Sequence, residues 1–165
     1  EFLYSDEDED LAAVVAAKLM GRGLTVAAAE SCTGGLFAAG LIAVPGVSKS
    51  FDRGYVVYSD ASKTDALGVP ADLIKACGAV SEEVAVSMAI GARLRAGVDI
   101  GVSVTGVAGP GGGSDEKPAG MAWICVSGAR GERTKRIVTR DRGRNRNRHV
   151  FVLEMMSEVN HFLEG

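Results

Sequence analysis

Hydrophobic and polar positions in this 165-residue chain follow two spacings, one typical of amphipathic helices and one typical of short buried strands. Asp8 or Asp10 can cap the first helix, whose apolar residues recur at helical spacing until Gly21. Ser81 can cap a later helix in the same way, and turns rich in glycine and proline separate the segments. The predicted helices cover residues 11–20, 36–44, 62–67, 71–77, 82–94 and 144–163, and the predicted strands cover residues 24–29, 51–58, 98–105, 121–127 and 134–139.

The order of these elements predicts the fold class. Strands alternate with helices through most of the chain, and the last two strands form a pair joined by a turn at residues 128–131. The chain length suits one compact domain, and no internal repeat or linker is visible. We therefore expect a single three-layer α/β/α domain at residues 11–165, preceded by an acidic tail at residues 1–10.

Composition narrows the classes of protein to consider. Hydrophobic residues make up 47% of the chain and aromatic residues only 5%, as in α/β layers where helices pack closely on a buried sheet. The three cysteines form no CxxC motif, which favours buried thiols in a reducing cytoplasm. The two histidines lack partners at metal-ligand spacing, so we expect no metal site and no cofactor. No apolar run approaches the ~20 residues that span a bilayer, and no basic segment marks a signal peptide, so a cytoplasmic protein without membrane contact is expected.

The first candidate for chemistry is the segment at residues 30–35, between a strand and a helix. Such a turn places Ser31 beside the unpaired N–H groups of the first helical turn, which can hold a phosphate or the oxyanion of acyl transfer. Gly34 and Gly35 allow close approach. The ordinary alternative is a helix-capping hydroxyl with glycines that serve packing.

If Ser31 is a nucleophile, it needs a base. Both histidines lie in the C-terminal helix, so Lys63 is the candidate, provided that burial lowers its pKa. Tyr58 can orient or relay the proton. The alternative is a solvated lysine at the start of a helix.

The third and fourth candidates are a glycine-rich loop and an arginine run. The loop starts at Thr105 after a buried strand, and its N–H groups can form an anion-binding nest, although a flexible connector remains open. In the run at residues 140–148, Arg142 and Arg146 share one helix face, and Arg144 and Arg148 share another. Such pairs suit a phosphate. A nucleic-acid patch and a solvated helix start are the alternatives.

Taken together, these motifs resemble a known family. They occur at residues 30–35, 44–46, 58–69, 78–85, 105–112, 117–120 and 141–142. Their order and spacing are similar to those of the C-terminal domain of the competence/damage-inducible protein CinA, over roughly residues 11–163. That bacterial family includes stand-alone nicotinamide-nucleotide amidases of the PncC type. This chain departs from the family at Arg140, which stands where glycine often precedes the Asp-Arg pair.

The resemblance implies a mixed, mostly parallel sheet and hydrolysis of nicotinamide mononucleotide to nicotinic acid mononucleotide and ammonia, in pyridine-nucleotide recycling. It also implies a serine–lysine acyl-enzyme mechanism in which Ser31, Lys63 and Tyr58 are the catalytic residues. The residues expected around the substrate are Glu30, Cys32, Thr33, Gly34, Gly35, Thr105, Gly106, Gly109, Arg142 and Arg146.

Three other interpretations remain open from the sequence. Cys32 is an alternative nucleophile, since thiolates are intrinsically more nucleophilic than hydroxyls. The chain can instead be a non-catalytic nucleotide-binding or interaction module linked to competence or DNA damage. A nucleic-acid accessory protein is supported only by the arginine run, so the expected partner is a small nucleotide. Small α/β domains often self-associate, so a homo-oligomer is also expected.

Overall fold

The computed structural model describes residues 6–140 and 142–165, which form five strands and six α-helices. The helices are α1 (Asp6–Arg22), α2 (Leu36–Ile42), α3 (Asp60–Leu67), α4 (Ala71–Cys77), α5 (Glu82–Ala96) and α6 (Arg144–Glu164). The strands are β1 (Val26–Glu30), β2 (Phe51–Val56), β3 (Ile100–Val107), β4 (Met121–Gly128) and β5 (Gly131–Val138), and a short 3-10 helix covers Val47–Lys49.

The strands form one mixed sheet in the order β2-β1-β3-β4-β5. β1 pairs in parallel with β2 and β3, whereas β4 is antiparallel to both β3 and β5. Four of the five strands consequently run in the same direction. The prediction of an α/β domain with a mixed sheet is confirmed.

Helices cover both faces of this sheet, which gives the three predicted layers. On one face α1, α2 and α6 pack on alternate residues of the central strands, for example Val26, Val102 and Ile124. On the other face α3, α4 and α5 pack on the intervening residues, for example Ala27 and Ala29. We call these layers the α1–α2–α6 core and the α3–α5 core.

Glycine sets the close approach of α5 to its neighbours. A Cβ atom on Gly101 of β3 would lie 2.1 Å from the Ala89 carbonyl oxygen, and one on Gly91 would lie 2.2 Å from the Leu67 carbonyl oxygen. Any side chain at either position would push α5 away from the sheet or from α3. Ser81 caps α5 as predicted, because its side chain accepts a hydrogen bond from the Val84 amide.

The structure differs from the sequence prediction mainly at element ends. α1 begins at Asp6, so the predicted tail contributes residues 6–10 to a helix, and residues 1–5 lie outside the described residues. α2 ends at Ile42 and β2 at Val56, both two residues earlier than predicted. β5 begins at Gly131, which leaves a two-residue turn after β4. Within the described ranges, no helix has the length and apolar character needed to cross a bilayer.

Candidate active site

The carboxyl ends of β1, β2 and β3 lie at one edge of the sheet because these strands are parallel. Ser31 directly follows β1, and the segment after β2 leads to Lys63 in α3. The Val57 amide donates to the Glu30 carbonyl (2.9 Å), and the Ser31 amide donates to the Val104 carbonyl (3.2 Å), so pairing continues beyond the strands. This edge is where open α/β sheets bind ligands.

Strand alternation assigns Glu30 and Ser31 to opposite faces of the sheet. Ala27 and Ala29 pack in the α3–α5 core, so from the same alternation we expect Ser31, one residue beyond β1, on the side of the sheet that carries Lys63. Glu30 points towards α2. Ser31 is 8% exposed and is therefore a buried residue at this edge.

Glu30 fixes the turn that carries Ser31. Its carboxylate is 1% exposed; Oε2 accepts hydrogen bonds from Thr33 Oγ1 (2.6 Å) and from the Gly35 (3.0 Å) and Phe37 (3.1 Å) amides, and Oε1 accepts one from the Ala38 amide (2.9 Å). The carboxylate therefore caps α2 through its first-turn donors. The sequence prediction put Glu30 against the substrate, whereas these contacts make it the anchor of the turn.

Most donors near the predicted anion site are already used. The Gly35 amide is occupied by Glu30, and the Gly34 amide donates to the Ser31 carbonyl (3.2 Å). Gly34 and Gly35 have φ values of 63° and 97°, in the left-handed region that favours glycine. Within residues 6–140 and 142–165, the Cys32 and Thr33 amides donate to no backbone carbonyl. The Cys32 amide interacts with its own thiol, so the Thr33 amide is the donor that remains at this turn.

Cys32 is poorly suited to be the nucleophile. Its side chain is 5% exposed and packs in the α1–α2–α6 core, on the face away from α3. Burial raises the pKa of the Cys32 thiol to about 12. The thiol is therefore protonated at neutral pH, and a protonated thiol is a weak nucleophile.

Lys63 is a buried lysine that has no carboxylate partner among the described residues. It is 1% exposed; its Nζ donates to the Tyr58 main-chain carbonyl (3.1 Å) and lies 3.5 Å from the Ser59 carbonyl. Its ammonium group forms no ion pair with any described residue. Burial lowers the pKa of Lys63, and the charge of Asp60 opposes this effect only in part. These conditions favour a neutral amine that can accept a proton.

The Tyr58 hydroxyl contacts Arg144 and not Lys63. It is 63% exposed, and its hydroxyl accepts a hydrogen bond from Arg144 Nη2 (2.9 Å), while Arg144 Nη1 donates to the Gly109 carbonyl (2.9 Å). Arg144 therefore bridges Tyr58 to the glycine-rich loop. The predicted proton relay through the Tyr58 hydroxyl to Lys63 is not formed, because only the main-chain carbonyl of Tyr58 contacts Lys63.

Thr105 and Gly106 close the site on the β3 side. Thr105 is 1% exposed, and its Oγ1 donates to the Ala79 carbonyl (2.7 Å), which ties the end of β3 to the start of α5. A Cβ atom on Gly106 would lie 2.6 Å from the Ala122 Cβ, so this position requires glycine for packing on β4. Both residues shape the edge of the site through protein contacts.

Four arginines of the run form two pairs that differ in their contacts. Arg144 and Arg148 are held by protein groups: Arg148 Nε donates to the Cys32 carbonyl (3.0 Å) and Nη2 to the Thr33 carbonyl (2.8 Å). Arg142 and Arg146 are exposed, and their side chains form no hydrogen bond or ion pair with the described part of the chain. The latter pair is the one that remains available for an anionic ligand.

Sequence reasoning missed one buried residue that organises this region. Asn147 is fully buried; its Nδ2 donates to the Ala108 carbonyl (3.0 Å), and its Oδ1 accepts from Thr139 Oγ1 (3.2 Å) and the Arg142 amide (3.3 Å). It thereby joins the glycine-rich loop to the start of α6. An asparagine flanked by arginines shows no hydrophobic pattern that predicts burial.

Comparison with known proteins places these features in one family. The family model described as "CinA C-terminal domain" matches residues 8–163. A putative competence-damage inducible protein from Acetivibrio thermocellus is 44% identical over 163 residues, which are 99% of this chain and 39% of that protein. A CinA-like protein from Gemmatimonas aurantiaca is 50% identical over 125 residues, which are 76% of this chain and 29% of that protein. The chain thus spans less than half the length of these curated relatives.

Solved structures agree with the sequence match. The competence/damage inducible protein CihA from Agrobacterium tumefaciens has a TM-score of 0.95 and 37% identity, with full coverage of both chains. A CinA superfamily protein from Escherichia coli has a TM-score of 0.90 and 30% identity, and the match covers 97% of this chain and 94% of that one.

Proposed function

Because the chain belongs to the CinA C-terminal domain family, which it resembles at the motifs around Ser31 and Lys63, we propose that it is a nicotinamide-nucleotide amidohydrolase. The reaction converts nicotinamide mononucleotide and water to nicotinic acid mononucleotide and ammonia. The observation that carries the proposal is the buried Lys63, which forms no ion pair with any described residue. It follows β2, the parallel neighbour of the strand β1 whose carboxyl end leads to Ser31.

Lys63 serves as the base in this proposal. Its burial lowers its pKa, and the neutral amine accepts the Ser31 Oγ proton as Oγ attacks the carboxamide carbon. The tetrahedral intermediate collapses as the protonated Lys63 gives its proton to the departing ammonia. Lys63 then takes a proton from water as the water oxygen attacks the acyl ester. When the carboxylic acid product leaves, Lys63 gives this proton to Ser31 Oγ, which restores both residues.

The oxyanion of the intermediate is bound at the Ser31 turn. The Gly35, Phe37 and Ala38 amides are occupied by Glu30 and the Cys32 amide interacts with its own thiol, so the available donor is the Thr33 amide. One donor of this kind is typically worth about 10²–10³-fold in rate.

The phosphate of the nucleotide is bound by Arg142 and Arg146. Both side chains are exposed, Arg146 in the first turn of α6 and Arg142 two residues before this helix, and they have no partner within residues 6–140 and 142–165. Their neighbours Arg144 and Arg148 are held by Gly109, Tyr58 and the Ser31 turn, so they are less suited to this task. Guanidinium groups suit phosphate because they present parallel donors.

The test is ammonia release from nicotinamide mononucleotide by the purified protein, in parallel with Ser31→Ala and Cys32→Ala. We expect turnover in the wild type and in Cys32→Ala, and its loss in Ser31→Ala. Loss of turnover in Cys32→Ala alone would overturn the assignment of Ser31. Tight binding of the nucleotide without turnover in the wild type would overturn the proposed reaction and favour a binding module.

A further inference from the structure

Arg148 contacts two consecutive peptide groups of the Ser31 turn. It lies in α6, 116 residues away from Cys32 in the sequence, and it is half-buried between α6 and this turn. Its Nε donates to the Cys32 carbonyl (3.0 Å) and its Nη2 to the Thr33 carbonyl (2.8 Å). The two donors of one planar guanidinium therefore fix two neighbouring carbonyls at once.

The opposite side of the same turn is held by a carboxylate. Glu30 accepts hydrogen bonds from amides that follow the turn, whereas Arg148 donates to carbonyls within it. The turn is thus clamped between a negative group at its N–H side and a positive group at its C=O side. Neither contact uses the Thr33 amide.

Peptide geometry determines where the Thr33 amide points. The N–H and C=O of a trans peptide point in opposite directions. The carbonyl of the Cys32–Thr33 peptide faces Arg148, so the N–H of that peptide, which belongs to Thr33, faces away from Arg148. Among the described residues it has no backbone acceptor.

We propose that Arg148 is a positioning residue that orients and polarises the Cys32–Thr33 peptide so that the Thr33 N–H binds the oxyanion. This inference rests on the proposed amide hydrolysis. A charge-assisted hydrogen bond to the carbonyl draws electron density from the peptide, which makes its N–H a stronger donor. The charge of Arg148 does reach the turn, since it acts to lower the pKa of the Cys32 thiol against the larger effect of burial.

The other arginines of the run cannot take over this task. Arg144 contacts Gly109 and Tyr58, and the side chains of Arg142 and Arg146 form no hydrogen bond with the described residues. The fit at Arg148 is also tight, because a Cβ atom on Gly34 would lie 3.2 Å from Arg148 Nη2. A larger residue at position 34 would therefore displace the guanidinium.

The test compares Arg148→Lys and Arg148→Met with Arg133→Met. Arg133 also contacts α6, through an ion pair with buried Glu158, but it lies on β5 away from the Ser31 turn. For nicotinamide mononucleotide we expect kcat to fall about 10²-fold or more in Arg148→Met, with KM changed less than threefold. Arg148→Lys should recover part of kcat, and millimolar guanidinium should partly rescue Arg148→Met. Arg133→Met should lose thermal stability but keep kcat.

A second measurement does not depend on turnover. The ¹H–¹⁵N resonance of the Thr33 amide should shift upfield in Arg148→Met, more than any amide of β5, because the polarisation of its peptide is lost. If the wild type does not hydrolyse the nucleotide but this shift occurs, the proposed function fails and the effect of Arg148 on the peptide stands. A wild-type kcat in Arg148→Met, or an unchanged Thr33 resonance, would overturn the inference about Arg148.

Discussion

Lys63 and Glu158 are both buried ionisable side chains, but among the described residues only Glu158 has oppositely charged partners. Glu158 in α6 is 2% exposed and lies within 2.6 Å of Arg133 Nε and 3.1 Å of Lys135 Nζ on β5. Lys63 in α3 is 1% exposed, and in the described part of the chain it has only main-chain carbonyls as partners.

The pKa values of both groups are lowered, which favours the charged form of Glu158 and disfavours the charged form of Lys63. Burial acts to raise the pKa of Glu158, but the hydrogen bonds from Arg133 and Lys135 outweigh it and the pKa is lowered, which favours the carboxylate. Burial lowers the pKa of Lys63, which disfavours the ammonium ion. Glu158 therefore joins α6 to β5, whereas Lys63 is kept in a state that costs stability. An arrangement that destabilises a charge is typical of a site that uses the group in chemistry.

The largest effect is expected for Lys63→Met, which tests whether Lys63 acts in catalysis and not in stability. Removal of the proposed base should lower the rate of ammonia release by about 10²–10⁴-fold. The free energy of unfolding at neutral pH should stay the same or increase, because a buried amine is replaced by an apolar side chain of similar length. Parallel assays of ammonia release and urea unfolding check both outcomes. A clear loss of stability in Lys63→Met would mean that Lys63 is a structural residue.

Glu30→Gln tests the anchor of the site. Glutamine presents an amide N–H₂ where the carboxylate accepts four hydrogen bonds, so we expect a loss of about 2–3 kcal/mol in the free energy of unfolding. Activity should also fall, since the turn that carries Ser31 is no longer fixed. Chemical denaturation and the ammonia assay measure the two effects. Unchanged stability would contradict the role of Glu30 as a cap of α2.

Glu158→Gln tests whether the second buried residue, Glu158, acts in stability and not in catalysis. We expect a loss of about 1–2 kcal/mol, because Arg133 is half exposed and can return to water when its partner is removed. The rate of ammonia release should stay within about twofold of the wild type. A large loss of activity together with unchanged stability would contradict the structural role of Glu158.

The pH dependence of folding stability should also differ between Glu158 and Lys63. The folded-state pKa of Glu158 is lower than its unfolded value, so its contribution is present above the unfolded pKa and is lost as the pH falls through the folded pKa. The stability difference between the wild type and Glu158→Gln should therefore shrink in acid below its ordinary pKa of 4.5. For Lys63, the loss of folding stability caused by its burial should diminish as the pH rises from the lowered pKa towards its ordinary value of 10.5. Unfolding curves across both pH windows check these signs.

The smallest effect is expected for Cys32→Ala. The thiol is protonated and packs in the α1–α2–α6 core, so its loss should cost about 1 kcal/mol of stability and leave activity within a few-fold. Treatment of the native wild type with iodoacetamide should likewise leave ammonia release unchanged. Complete inactivation by either change would contradict the assignment of Ser31.

Local sequence patterns predict much of the fold and part of the site. Ser81 and the acidic residues after it predict α5, and the apolar run at residues 98–105 predicts β3. The strand-to-helix turn at Ser31 and the position of Lys63 in α3, the helix after β2, also follow from local spacing. These features depend on residues near one another in the chain, where propensity and periodicity act directly.

Contacts between distant segments could not be predicted in this way. Arg148 reaches the Cys32 carbonyl across 116 positions, and Arg144 reaches the Tyr58 hydroxyl across 86. The direction of the Tyr58 side chain and the anchoring of Glu30 depend on how α6 and α2 pack on the sheet. The predicted contact of the Tyr58 hydroxyl with Lys63 is absent from the described contacts, because these packing interactions and not spacing along the chain direct the Tyr58 side chain.

The most direct test of the account compares two titrations of the wild-type protein. One is the pH dependence of kcat/KM for ammonia release from nicotinamide mononucleotide, which reports the pKa of essential groups in the free enzyme. The other is the titration of the Lys63 side chain observed by NMR, assigned with Lys63→Met. We predict that kcat/KM rises with pH through the same pKa at which Lys63 loses its proton, and that this pKa lies below the ordinary value of 10.5. A Lys63 that titrates at or above that value, or a rate that follows a different group, would contradict its role as the base.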